Sequence, residues 1–214
     1  MKHAKRHPLI FGTIILTATG LITRVIGFFY RIYLSRLFGE EGMGIYQLLS
    51  PALSLSFSLT AAGYQTAISK YVAADSAKRP SGNLKPLLAG TSITLPLSLV
   101  TNAILFFSAD PIGIFLLKDH RTVPMLRILS FSVPFAALHA CINGYFYGKK
   151  KASVPALTQL LEQLARVSCV FLVTGADLAE GRTPSINAAV LGLTVGEIFS
   201  MLIALVCLYI HCLL

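Results

Sequence analysis

The chain has 214 residues, of which 55% are hydrophobic and only 13% charged, and its formal net charge is +9. A soluble domain needs about 25% charged residues to solvate its surface, which excludes most soluble-enzyme classes. At about 35 residues per span and loop, the length holds roughly six transmembrane helices. An excess of Lys and Arg in such a chain reads first as cytoplasmic loops and only then as nucleic-acid binding, which is set aside.

Residues 1–8 form a basic cytoplasmic N-terminus carrying Lys2, Lys5 and Arg6. Together with the apolar run after them they look superficially like a signal peptide. That run continues past Gly20 and contains Arg24, so an uncleaved first helix is expected. Residues 9–210 read as one six-helix lobe, with segments at about 9–35, 45–68, 86–109, 124–147, 154–175 and 185–210. In the first, Thr13, Thr17, Gly20, Arg24, Gly27 and Arg31 recur every three or four residues and share one face. Arg24 falls well inside a hydrocarbon core, where a lipid-facing arginine costs at least about 2.5–3.5 kcal/mol, so it should face protein or a hydrated cavity. Arg31, two turns on, is placed to snorkel or to act beside it. The glycines of the stripe equally suit close helix packing.

The second segment carries an uncharged stripe, with Gln47, Ser50, Ser54, Ser58, Gln65 and Ser69 opposite leucines and Phe57; Pro51 is expected to bend its outer end. Beside the first stripe, cavity lining is favoured over interhelical hydrogen bonding. In the fourth segment Pro134, His139 and Asn143 add polarity, and His139 reads as a packing histidine. The fifth holds Gln159, Glu162, Gln163 and Arg166, in which Glu162 and Arg166 can pair across one turn. In the sixth, Gly192, Gly196 and Ser200 have small-residue packing spacing, while Glu197 has no local partner and is either a protonatable coupling group or the mate of a distant arginine such as Arg24. The four cysteines lack metal spacing and read as small apolar packers.

Loop charges alternate. Lys70, Lys78, Arg79 and Lys85, with only Asp75 against them, follow the second segment and Lys149–Lys151 the fourth, whereas the other loops are acidic-leaning mixtures: Arg36 with Glu40 and Glu41; Asp110, Lys118, Asp119 and Arg121; and Asp177, Glu180 and Arg182. The positive-inside rule then puts both termini in the cytoplasm of a multi-pass cell-membrane protein. No Ser/His/Asp grouping, HExxH or phosphate-binding glycine loop occurs, so no catalytic residue, metal or cofactor is expected.

The stretch from Ile22 through Arg24, Arg31 and Gly39 to Gln47 resembles the opening of the stage V sporulation protein B-like, polysaccharide-transporter family. Ala67–Lys70, Asn143–Gly148, Pro155–Gln159 and Leu161–Val167 are similar to later stretches of that family. The resemblance implies the multidrug/oligosaccharidyl-lipid/polysaccharide exporter superfamily, in which two helical lobes rock about a central cavity. It implies a lipid-linked saccharide diphosphate as partner, held by cationic side chains, with Arg24 and Arg31 matching the arginines of the family's first helix and Glu162, Gln163 and Arg166 its fifth-helix motif. Gln47, Ser54 and Gln65 of the second segment's stripe are expected to line the same cavity, and Glu197, from its mid-span position, to be a coupling group. The saccharide would be a peptidoglycan, spore-cortex or polysaccharide precursor. The Lys149–Lys151 run is more basic than is usual in these relatives and is read as a topology anchor. Such transporters have a dozen or more spans, so this chain is expected to supply one lobe, with residues 211–214 as a truncated end and a second lobe as partner. A multidrug exporter driven by Na+ or H+, or a non-transporting fragment, are the alternatives.

Overall fold

The computed structural model describes residues 8–78 and 84–213. The anchors Lys2, Lys5, Arg6 and Arg79 lie outside them. In a bilayer every backbone N–H and C=O must be satisfied within the segment, so long apolar runs become helices. The described residues are accordingly helical nearly throughout: α1 (Pro8–Leu48), α2 (Ser50–Phe57), α3 (Gly63–Lys78), α4 (Lys85–Phe107), the short α5 (Ala109–Pro111), α6 (Thr122–Gly148), α7 (Ser153–Ala179) and α8 (Asn187–Leu213). A π-helical turn, Ser58–Ala62, joins α2 to α3, and a second, Ile112–Leu116, follows α5.

Five apolar helical runs result, and the first, Gly12–Ser76, is 65 residues long. At 1.5 Å per residue that is about 98 Å, roughly three times the hydrocarbon thickness. It holds two passes. Gly39 breaks it, with φ 69° and ψ −174°, a conformation essentially restricted to glycine. Both arms return to one end of the bundle. A methyl on Gly12 would lie 3.3 Å from Ala152, and one on Gly148 would lie 2.7 Å from Val72. The described residues therefore make six passes of an all-α polytopic membrane bundle.

The two ends differ in charge. One gathers Lys149, Lys150, Lys151 and His211, with the Lys151 ammonium 2.9 Å from the His211 ring. The other pairs acids with arginines: Glu41 with Arg121 at 2.7 Å, Asp110 with Arg127 at 2.6 Å, and Arg182 with Glu180 at 2.5 Å. The Arg121 guanidinium also holds the Asp119 carboxyl below the usual aspartate range by hydrogen bonding.

Helix α6 is the bundle's centre, touching α3, α4 and α8, while α1 rests mainly on α7 through Tyr30, Leu34 and Val170. One apolar cluster (Leu49, Leu105, Met125, Leu126, Leu129) fills the acidic end and another (Ile68, Val72, Tyr145, Phe146) the basic end. Two glycine pairs set the spacing between them. A methyl on Gly144 would meet the Gln65 carbonyl at 2.6 Å, and one on Gly148 the Ser69 carbonyl at 2.7 Å. On α8, Gly192 and Gly196 do the same against the Arg166 and Glu162 carbonyls, at 2.9 and 3.1 Å. Backbones this close are possible only where no side chain intervenes.

Two local expectations change. Pro51 does not bend the second span; it stands in the first turn of α2, where its missing N–H is no loss. The irregularity lies at Ser58–Ala62 instead. The second span also runs on to Lys78, because helix continues past the apolar window, and residues 45–48 belong to α1.

Candidate functional site: a polar cluster at mid-span

Between the two apolar clusters, α6, α7 and α8 converge on a polar knot. His139 and Glu162 each lie about nine residues, roughly 14 Å, from the basic end of their helix, so both sit near the middle of a ~30 Å core. The imidazole nitrogen and carboxylate oxygens of His139, Glu162 and Glu197 fall within 4.8 Å of one another. They border a cavity of about 210 Å³ also lined by Gln65, Asn143 and Gln159. The glycine seams explain the meeting. Gly144, next to Asn143, lets α3 bring Gln65 in, and Gly196, next to Glu197, lets α7 bring Glu162 in.

Hydrogen bonds fix the histidine. Thr158 Oγ1 lies 3.4 Å from Asn143 Oδ1, leaving Asn143 Nδ2 to donate to His139 Nε2 at 2.8 Å. The ring proton then sits on Nδ1, which faces Ser200 Oγ at 3.2 Å and the Glu197 carboxylate at 3.7 Å. Glu162 is ion-paired with Arg166 one turn along α7, as its spacing predicts. Near that guanidinium, Tyr30 Oη and Arg166 Nε are buried without a hydrogen-bond partner among the described residues. The cluster has metal-ligating residue types, but Arg166 already occupies Glu162. A divalent ion added to two carboxylates and one guanidinium would leave a net positive charge, so the set is poorly matched to one.

The other predicted residues distribute differently. Arg24 and Arg31 are exposed on α1, and among the described residues neither makes an ion pair or hydrogen bond. Their stripe borders the α7 contact, since a methyl on Gly27 would lie 3.5 Å from Gln163 Nε2. Gln47 and Ser54 are exposed as well, and the Ser54 hydroxyl is satisfied by the Ser50 carbonyl at 2.9 Å. Gln65, half-buried, reaches the cavity. The π-helical turn accounts for the split, because its wider winding rotates α3 relative to α2 and moves Gln65 off the face of Ser54.

Sequence reasoning left His139 as a packing residue and Asn143 as mere polarity. Their i, i+4 spacing on α6, together with the partnerless Glu197, was the available signal. The option that Glu197 pairs with Arg24 gives way to its contact with His139.

Comparison with known proteins fits this architecture. A family model described as "Polysaccharide biosynthesis protein" matches residues 9–212. The chain belongs to that family. It is 36% identical over 197 residues to stage V sporulation protein B of Bacillus subtilis (strain 168), covering 92% of the chain and 38% of that relative. It is 27% identical over 179 residues to the lipid II flippase MurJ of the same organism, covering 79% of the chain and 32% of the relative. An uncharacterized membrane protein, YabM, is 27% identical over 164 residues, 77% of the chain and 30% of the relative. The chain thus spans about a third of the length of these relatives. No solved structure matches it.

Proposed function

We propose that this polysaccharide-family chain forms one lobe of a flippase for a lipid-linked saccharide, working by alternating access without covalent chemistry. The observation that carries the reading is the pair of exposed guanidinium groups of Arg24 and Arg31 on α1, which make no ion pair or hydrogen bond among the described residues. A lipid-facing arginine at that depth costs several kcal/mol, so these side chains face a hydrated space and an anion within it. Each guanidinium offers a bidentate fork suited to a phosphate, and two forks a couple of turns apart suit a diphosphate. Gln163 and Arg166, beside the stripe, and Gln65, at the cavity, supply polar groups for the saccharide while its lipid tail stays in the bilayer.

In this reading a second lobe closes the cavity, the basic end faces the cytoplasm of a bacterial cell, and the substrate is a peptidoglycan, spore-cortex or polysaccharide precursor. Family membership and the lipid II flippase among the relatives support it. The test is transfer of a labelled lipid-diphosphate saccharide across liposomes containing the transporter that carries this lobe. Arg24→Ala is expected to lower the rate at least tenfold, and an unchanged rate sinks the reading.

A further inference from the structure

The mid-span cluster leaves a charge unaccounted for. Around the cavity, α7 contributes the Glu162 carboxylate, paired behind the lining with Arg166, α8 contributes the Glu197 carboxylate, and α6 contributes His139 with Tyr147. From α3 only the uncharged Gln65 reaches it. From α1, Tyr30 and Tyr46 stand near Arg166, with Arg31 close to Tyr46. Two carboxylates face one paired guanidinium, and with a neutral imidazole the set carries one negative charge in the middle of a bilayer. One positive charge closes the count. A divalent ion overshoots it, and an imidazole nitrogen is a poor ligand for Na+.

We propose that His139, facing Glu197, forms a binding site for one proton: the neutral ring carries its proton on Nδ1, 3.7 Å from the Glu197 carboxylate, the added proton takes Nε2, and the imidazolium charge is balanced by Glu197 beside the Glu162–Arg166 pair. The geometry suits the task. Asn143 occupies Nε2 and so points Nδ1 at Glu197, and a second proton on the imidazole requires only that Asn143 turn its amide so that Oδ1 accepts from Nε2. Ser200 Oγ, 3.2 Å from Nδ1, donates to the Glu197 carbonyl and is placed to accept from the ring. The cavity beside the pair holds enough space for water to deliver the proton. His139 stands on α6, Glu197 on α8 and the Glu162–Arg166 pair on α7, so occupancy alters the attraction among three helices rather than within one. This inference supplies the flippase reading with a coupling ion, yet proton binding itself stands or falls without transport.

The experiment uses the 214-residue chain in lipid nanodiscs, labelled with 15N in its histidines. The His139 signal is identified by its loss in His139→Gln. The ring is followed from pH 8 to pH 5, and the result expected is its conversion from the neutral to the doubly protonated form as acid is added. Glu197→Gln should weaken proton affinity at least tenfold, whereas Glu197→Asp, which keeps the carboxylate, should retain it. A His139 ring that stays in one form across that range overturns the proposal, as does a transition that survives unchanged in Glu197→Gln. Micromolar Zn2+ binding that displaces the transition also overturns it, in favour of a metal site. If His139 titrates as expected but lipid-diphosphate transfer is absent, the flippase reading fails and the proton site stands.

Discussion

The bundle treats its buried and its exposed charges in opposite ways. On α6, α7 and α8 the ionisable groups meet one another: Glu162 has Arg166, and Glu197 has His139, which is itself held by Asn143. On α1 the two arginines make no ion pair or hydrogen bond among the described residues. The members of the first set are paired with one another inside the fold, with one proton proposed to complete their charge, and contribute to holding it together. The second carries its charge toward whatever occupies the space beside α1. The difference separates residues whose loss should unfold the lobe from residues whose loss should leave the lobe intact and inactive.

The largest expected effect breaks the compensated set. Arg166→Ala leaves the Glu162 carboxylate without its partner beside Glu197, and a cost of about 3–5 kcal/mol is expected in equilibrium unfolding in detergent. Gly144→Leu tests the seam that admits Gln65. Its side chain cannot coexist with a carbonyl 2.6 Å from the first added carbon, so a loss of about 1–3 kcal/mol should appear in the same assay. Gly39→Ala puts a methyl group on a backbone at φ 69°, with an expected loss of about 1–3 kcal/mol or a shift of the turn. On the uncompensated side, Arg24→Ala should change unfolding stability by less than about 0.5 kcal/mol while transport collapses. A destabilisation as large as that of Arg166→Ala would erase the distinction. The smallest effect belongs to the acidic end. Because the Asp119 carboxyl is held low by Arg121, its contribution is fully present above the ordinary aspartate value and is lost as pH falls through the lowered one. Thermal unfolding followed from neutral to strongly acidic pH should show that small loss, and Asp119→Asn should remove it.

Much of the lobe was legible because a bilayer imposes simple rules. Apolar length and alternating loop charge gave the passes in order, and the Glu162–Arg166 pair followed from helical spacing alone. Gly192 and Gly196 announced a packing seam for the same reason. What could not be read was anything that joins separate helices. His139 meets Glu197 only because α6 and α8 cross there, and no periodicity within α6 contains that fact. The polar stripe of the second span misled differently. Its spacing assumes uniform winding, which the π-helical turn breaks between Ser54 and Gln65.

That turn carries a further consequence for how the span tolerates change in chain length. A π-helical turn accommodates one residue more than an α-helical turn. Deleting a single residue within Ser58–Ala62 would therefore restore regular winding and alter the span's length by only about 1.5 Å. It would also leave the residues before it facing as they do now, because the tighter winding cancels the roughly 100° that one lost residue would otherwise introduce. Ser54 and the rest of α2 would keep the side they present to α6. The second span can absorb a lost residue here in both height and rotation, whereas a deletion in its regular α-helical parts would turn one half against the other by about 100°.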